Sequence, residues 1–165
     1  MAGVTACDVP EGSLLAAFGG PQDYRDCFCR EVAGTVTLTE FIERFYCSTA
    51  FRPERIVLGL IGRGASSADV RALAHGQADA IAVWKVVERR EDEILLESRG
   101  TGTASWLAVG SLHPGAEAVS ARTPRTRLLF GSWVGNLEQS GWRVMQRPHQ
   151  WYSRFLLGGV RGLGR

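Results

Sequence analysis

Residues 37–46, Thr-Leu-Thr-Glu-Phe-Ile-Glu-Arg-Phe-Tyr, carry the strongest structural signal in this chain. Thr37 and Glu40 fit a capping box, in which each side chain bonds a backbone amide that has no partner inside the helix. Apolar side chains then recur at helical spacing, at Leu38, Phe41, Ile42, Phe45 and Tyr46. This stripe predicts an amphipathic helix with one buried face.

Two more helices are predicted after this one. Pro53 fits the first turn of the next helix, where its missing amide proton costs nothing. Gly62 or Gly64 ends that helix. A third, shorter helix begins near residues 66–67 and stops at Gly76.

The segment before the capping box has a different pattern. Residues 24–32 alternate in the manner of a β-strand. Residues 1–22 contain one short apolar stretch, 13–18, followed by two glycines and a proline. We therefore expect 1–22 to form an arm with one helical turn, and 23–165 to form a single domain.

After Gly76 the apolar period changes from helical spacing to alternation, which indicates strands. Four strands are predicted, at 80–88, 94–98, 103–109 and 126–134. A charged turn over 89–93 joins the first two into a hairpin, and a loop rich in proline, glycine and alanine covers 112–125. From about Pro148 the chain becomes helical again, with this proline in the first turn.

This order of elements predicts an α+β fold. A curved antiparallel sheet of about five strands grips a long C-terminal helix, and two or three helices lie between the first strand and the rest of the sheet. Because a pleated sheet and a helix cannot fill the space between them completely, such a fold encloses a hollow. Small ligands bind in hollows of this kind.

Four strings carry a resemblance to a known family: 82–86 (Ala-Val-Trp-Lys-Val), 92–96 (Asp-Glu-Ile-Leu-Leu), 105–109 (Ser-Trp-Leu-Ala-Val) and 127–132 (Arg-Leu-Leu-Phe-Gly-Ser). Together with the element order over 24–162, they resemble small bacterial members of the START and birch-pollen-allergen (SRPBCC) superfamily, the helix-grip fold. The resemblance implies a protein that binds lipids, sterols or polyketides, or that cyclises or hydrolyses small substrates.

The strand count departs from that family, whose sheet normally has six or seven strands. Either residues 141–146 add a strand, or the fold is a shortened variant. The cone-shaped nuclear-transport-factor-like fold is the main structural rival. It normally begins with its helices and ends in strands, so the first strand and last helix predicted here argue against it.

Composition and charge exclude several classes of protein. The chain has 165 residues, with 19 basic and 17 acidic side chains and a formal charge of +2. This balance leaves no electrostatic footprint for nucleic acid, and we expect no nucleic-acid partner. No apolar run approaches the roughly eighteen residues of a membrane span, so stable membrane insertion is not expected. The run 156–160 fits either membrane contact or an internal helix.

The N-terminus has no basic segment followed by an apolar one, so we expect a cytoplasmic protein. Four cysteines are present, at Cys7, Cys27, Cys29 and Cys47. Cys27 and Cys29 lie two apart on one strand face and are poorly placed to bond each other. Neither the cysteines nor the three histidines show metal-ligand spacing. We therefore predict reduced, partly buried thiols, no metal and no cofactor.

Seven residues form the candidate ligand site: Asp26, Tyr46, Trp84, Ser105, Trp106, Ser132 and His149. The tryptophans offer large rigid surfaces to an apolar or ring-shaped ligand, although packing in the core or on the sheet surface is the preferred interpretation of each. The two serines suit a ligand carbonyl, which Asp26 on the first strand flanks. His149 fits a general base at the pocket mouth, or a solvent-facing residue at a helix start.

Lys85 and Glu97 lie on neighbouring predicted strands. They fit either a substrate-polarising ion pair in the cavity or, by preference, a cross-strand pair on the surface.

The sequence therefore predicts binding of a small apolar or aromatic molecule, lipid-, sterol- or polyketide-like, by a monomer or homodimer. The alternative is an enzyme of the same fold, a cyclase, isomerase or hydrolase with general acid–base residues. An interaction module whose pocket is filled by its own side chains is the third possibility. Two polar groups within hydrogen-bond reach in the cavity would favour the enzyme, and an entirely apolar cavity would favour the carrier.

Overall fold

The computed structural model describes residues 3–48, 65–98, 100–112, 124–135 and 142–163. The strands are β1 Val4–Ala6, β2 Tyr24–Ala33, β3 Ala80–Ile81, β4 Trp84–Arg89, β5 Glu93–Ser98, β6 Thr103–Leu112 and β7 Arg125–Val134. The helices in the described part of the chain are α1 Leu14–Ala17, α2 Leu38–Tyr46, α3 Ser67–Ala74 and α4 Trp142–Gly159. The strands form one antiparallel, curled sheet in the order β1-β2-β7-β6-β5-β4-β3. The α+β class is thus confirmed.

Helix α2 begins with the predicted capping box. The amide of Glu40 donates to Oγ1 of Thr37 at 3.2 Å, and the amide of Thr37 donates to Oε2 of Glu40 at 2.9 Å. The apolar stripe of α2 is buried in the core, with Phe41 and Ile42 fully inaccessible. A second capping box, between Ser66 and Asp69, starts α3.

The sheet has two covered faces, which we call inner and outer. On the inner face, Phe28, Phe130 and Leu107 form one apolar row across β2, β7 and β6. They pack with side chains of α2, α3 and α4. The outer face carries a second apolar cluster, in which Trp106 and Leu129 pack with α1.

The strand count differs from the predicted five. Residues 4–6, expected in an arm, pair with β2 as an edge strand. The expected strand 80–88 is two strands, because Ala82 turns the chain with a φ of 53°. The strands predicted at 24–32, 94–98, 103–109 and 126–134 are confirmed as β2, β5, β6 and β7.

Helix α4 begins earlier than predicted. Pro148 lies inside the helix rather than in its first turn, and residues 142–146 belong to this helix rather than to a further strand. An internal proline removes one backbone hydrogen bond. Burial of Leu156, Leu157 and Val160 against the sheet compensates for that loss, and it makes 156–160 an internal segment. The helix predicted from Pro53 and the loop 113–123 lie outside the described residues.

Two arginines fasten the C-terminal ends of helices to the rest of the fold. Arg30 on β2 donates to the carbonyl of Val160 at 2.7 Å. Arg89 on β4 donates to the carbonyls of Leu73 and Ala74 at 2.8 and 2.6 Å. These bonds satisfy carbonyls that have no partner inside the helix, and they set α3 and α4 against the sheet.

None of the helices in the described ranges combines the length and the apolar character that crossing a membrane requires.

Candidate functional site

A cavity of about 210 Å³ lies between α4, α2 and the inner face of the sheet. Phe45 and Tyr46 reach it from α2, and Tyr152 and Leu156 reach it from α4. Phe130 contributes to the sheet side. The walls are therefore mostly apolar and aromatic, as in many small-molecule sites.

One end of the inner face is polar. Asp26 on β2 pairs with Ser132 on β7, which pairs with Ser105 on β6, so the three residues form one row across neighbouring strands. Ser132 is 4% exposed and Ser105 is 9% exposed, and both line the cavity. The next row along the same face, Phe28–Phe130–Leu107, is wholly apolar. The cavity thus has the hydroxyls of Ser105 and Ser132 at one end of its sheet wall, and its other hydroxyl groups belong to Tyr46, Thr103, Tyr152 and Ser153.

Helix α4 places His149 above this polar row. Its Nε2 lies 3.6 Å from Oδ2 of Asp26, whose side chain is 8% exposed. The same Oδ2 accepts a hydrogen bond of 2.9 Å from the hydroxyl of Tyr24. Nε2 of Gln150 donates to that hydroxyl at 2.9 Å. These contacts fix the N-terminal half of α4 to the first long strand.

Burial shifts both titrating groups toward their neutral forms. Burial raises the pKa of Asp26, and the charge of His149 and the hydrogen bond from Tyr24 lower it in part. Burial also lowers the pKa of His149, which the negative charge of Asp26 partly opposes. A carboxyl with a raised pKa beside an imidazole with a lowered pKa brings the two proton affinities closer together, which suits proton transfer.

The geometry does not form a serine-nucleophile triad. Oγ of Ser153 lies 3.5 Å from Nε2 of His149, the ring nitrogen that also faces Asp26. In a triad the hydroxyl and the carboxylate contact opposite nitrogens of the ring. General acid–base chemistry is therefore the reaction type that this pair can support.

The structure brings six of the seven predicted site residues together. Tyr46, Trp84, Ser105, Ser132 and His149 line the cavity, and Asp26 contacts His149 beside it.

Trp106 does not join the other six. Its indole donates to Oε2 of Glu93 at 2.7 Å in the outer cluster. Successive strand residues point to opposite faces, so Ser105 and Trp106 cannot both face the cavity.

Several polar residues at the site were not predicted from the sequence. Tyr24 and Gln150 support Asp26, and Tyr152 and Ser153 line the cavity beside His149. The spacing of His149, Ser153 and Leu156 is that of one helix face, which would have indicated Ser153. No local pattern indicates Tyr24, because its role depends on the partner that α4 brings to it.

Lys85 and Glu97 are paired across β4 and β5, as the preferred interpretation predicted. Their register neighbours Val86 and Leu96 face the inner core, so the two charged residues face away from the cavity.

Three of the four thiols, Cys7, Cys27 and Cys29, lie on the outer face of the sheet, and Cys47 caps the C-terminal end of α2. Cys7, Cys27, Cys29 and Cys47 are free thiols, and Sγ of Cys7 lies 3.4 Å from Sγ of Cys27. Burial raises the pKa of Cys7 to about 11. In the described residues, no three His, Cys, Asp or Glu side chains are arranged to hold a metal ion.

The chain matches no protein-family model, no curated protein and no solved structure at a significant level. The resemblance to the helix-grip superfamily therefore stays a prediction, resting on element order and short strings.

Proposed function

We propose that this protein binds a small molecule of single-ring size that carries one polar group. The observation that carries the proposal is the placement of Ser105, Ser132 and His149 at one end of a cavity with otherwise mainly apolar walls. A ligand with an apolar body would bury that body against the aromatic walls. Its polar group would bond the hydroxyls or the imidazole.

The size of the cavity supports a small ligand. Its volume is about 210 Å³, whereas cavities for drug-sized ligands range from about 300 to 1,000 Å³. An apolar cavity of about 150 Å³ is known to admit benzene. A monocyclic phenol or ketone therefore fits this cavity better than a sterol or a long polyketide chain.

The buried hydroxyls of Ser105 and Ser132 favour a polar ligand over an apolar ligand of the same shape. A buried polar group that loses its partner costs about 1–3 kcal/mol. A ligand that bonds Ser105 or Ser132 therefore gains over an apolar isostere of the same shape.

Phenol and toluene titrated against the protein by calorimetry test this proposal, because they differ mainly in one hydroxyl. We expect tighter binding of phenol, and about a fivefold loss of phenol affinity in Ser132→Ala and Ser105→Ala, the equivalent of one neutral hydrogen bond. Toluene affinity should not fall. Ser111→Ala, an exposed serine on the same strand as Ser105, is the matched control. Absence of binding by either probe, or equal affinity for both, would refute the proposal.

An enzyme of the same fold is the second candidate function, and the pairing of Asp26 with His149 favours it. A neutral His149 beside a buried carboxyl is suited to remove a proton from a carbon next to a carbonyl. Isomerases and cyclases begin with such a step.

Proton exchange in heavy water tests the enzyme directly. Deuterium incorporation into cyclohexenone, followed by NMR, should be accelerated by the wild-type protein and lost in His149→Gln. The variant His75→Gln, at an exposed histidine of α3's C-terminal end, should keep the activity. Exchange at the same rate in all three proteins would exclude His149 as a base.

A cytoplasmic location and a monomeric or homodimeric state belong to the same proposal. Free thiols on the outer face support a reducing compartment.

A further inference from the structure

The outer side of helix α4 exposes two large aromatic rings. Trp151 is 58% exposed and Phe155 is 39% exposed, and the described part of the chain has one other large exposed hydrophobic side chain, Val87. The two rings are stacked, with centroids 5.7 Å apart and planes inclined by 6°. They form a continuous apolar surface on a helix whose opposite side lines the cavity.

Arginines surround this aromatic pair. Residues 139–165 contain five arginines and no aspartate or glutamate, against a charge of +2 for the whole chain. Arg147 and Arg154 are exposed at one turn before Trp151 and one turn after it. The guanidinium of Arg154 also lies over the ring of Phe28, 5.2 Å from its centroid. Arg161, just beyond the helix, is exposed as well. We call the surface of Arg147, Trp151, Arg154 and Phe155 the outer α4 face.

We propose that the outer α4 face docks on the surface of an anionic lipid bilayer. Aromatic side chains settle at the boundary between headgroups and acyl chains, and arginines bind lipid phosphates. The surface carries one sign of charge, which suits an anionic partner. The docking is peripheral, and it stands independently of the ligand proposed for the cavity.

The same charge argues against a second copy of the chain as the occupant. Two outer α4 faces brought together would place at least four arginines in contact without a counter-charge, which is destabilising. A strand of nucleic acid is disfavoured because 19 basic and 17 acidic side chains leave the chain without an electrostatic footprint for it.

Vesicle co-sedimentation tests the proposal, with phosphatidylcholine vesicles prepared with and without phosphatidylglycerol. The full-length protein should bind the vesicles that contain phosphatidylglycerol, bind the neutral vesicles weakly, and dissociate as salt is added. Trp151→Ala/Phe155→Ala should lower the partition constant about tenfold or more. Arg147→Gln/Arg154→Gln, which removes both arginines of this surface, should lower it about thirtyfold, since each arginine near an anionic surface contributes about 1 kcal/mol.

Two matched controls remove similar chemistry elsewhere. Val87→Ala deletes an exposed apolar side chain of β4, and Arg71→Gln deletes an exposed arginine of α3. Both should bind vesicles as the wild type does, and thermal melts should show all variants folded.

Equal binding to both vesicle types, or unchanged binding in the aromatic and arginine variants, would overturn the proposal. Binding confined to single-stranded DNA or to a poly-glutamate peptide, or a dimer that the aromatic variant dissociates, would overturn it as well.

Discussion

Nε2 of His149 lies 3.6 Å from Oδ2 of Asp26, so that the last helix and the first long strand meet through a titrating pair. The two residues are 123 positions apart in the chain. The side chain of Asp26 is buried, and that of His149 is 24% exposed. The contact has two consequences. It fixes the helix over the polar end of the cavity, and it makes the stability of the fold depend on pH.

His149 should make the folded chain sensitive to mild acid. Because burial lowers its pKa, the folded state binds a proton less readily than the unfolded state does. As pH falls through the ordinary histidine value of 6.5, the free energy of unfolding should fall. Urea denaturation from neutral pH to about pH 5 measures this loss. The loss should be smaller in His149→Gln than in the wild type, and equal slopes in the two proteins would contradict the assignment.

Asp26 should show the opposite dependence. Its raised pKa means that the folded state holds the carboxyl proton more tightly than the unfolded state, so stability falls as pH rises above the ordinary carboxyl value of 3.8. Asp26→Asn cannot ionise. In urea denaturation it should therefore gain stability over the wild type as pH rises toward neutrality, and it should lose the proton-exchange activity proposed for the pair.

Asp69 supplies a control for urea denaturation across pH, because its pKa is shifted in the direction opposite to that of Asp26. Hydrogen bonds from Ser66 lower the pKa of Asp69, so Asp69→Asn should lose stability at neutral pH relative to acid. If both variants shift in the same direction between acid and neutral pH, burial of Asp26 is not the cause.

A helix or strand was predictable from the sequence where a local pattern is enough to specify it. The capping box of Thr37 and Glu40 determines where α2 begins, and alternation determines β5, β6 and β7. The internal position of Pro148 was not predictable in this way. A proline usually marks a helix start, and no local pattern indicates that α4 continues N-terminal to Pro148, as far as Trp142.

The candidate site was predictable as a set of residue types but not as an arrangement. Asp26, Ser132 and Ser105 form a row only because of the registers of β2, β7 and β6. Register depends on pairing between distant segments, and a slip of one residue would move each side chain to the other face. Trp106 was predicted in the ligand site but lies in the outer cluster, because the face on which it lies also depends on register.

The two tryptophans predicted to bind ligand should now behave differently. Trp84 lines the cavity, so Trp84→Ala should weaken phenol binding more than it lowers the melting temperature. Trp106 is 1% exposed in the outer cluster and bonds Glu93. Trp106→Ala should cost about 3–5 kcal/mol of stability and leave phenol affinity unchanged in the folded fraction. Calorimetry and thermal melts on both variants separate these roles, and a large binding defect in Trp106→Ala would contradict the placement.

Glu93 should be a structural anchor for the N-terminal segment. Its Oε2 accepts hydrogen bonds from the amide of Leu14 at 2.9 Å and from the indole of Trp106 at 2.7 Å. Its Oε1 accepts from Arg90 at 2.9 Å. Glu93→Ala leaves two buried donors without a partner and should cost about 2–6 kcal/mol, since each such donor costs about 1–3 kcal/mol. Glu91→Ala, an exposed carboxylate in the adjoining turn, should cost little in the same denaturation experiment.

Two glycines should respond to alanine in opposite directions. At Gly131 on β7, an added Cβ would lie 2.9 Å from the backbone oxygen of Asp26 and 3.1 Å from the Trp106 ring. The backbone cannot withdraw without moving the strand that holds the polar row, so Gly131→Ala should cost at least 1–3 kcal/mol, roughly the penalty of overpacking a core.

At Gly158 on α4, the nearest atom to an added Cβ is a methyl carbon of Val4 at 3.8 Å, an ordinary contact. Alanine there limits the unfolded chain more than it disturbs the folded one, so Gly158→Ala should add about 0.5–1 kcal/mol. Urea denaturation of the two variants measures both effects. A stabilising Gly131→Ala would mean that β2 and β7 are not packed as closely as the register requires. A destabilising Gly158→Ala would mean that the added Cβ lies closer to the Val4 methyl carbon than 3.8 Å, and hence that α4 packs more tightly on β1.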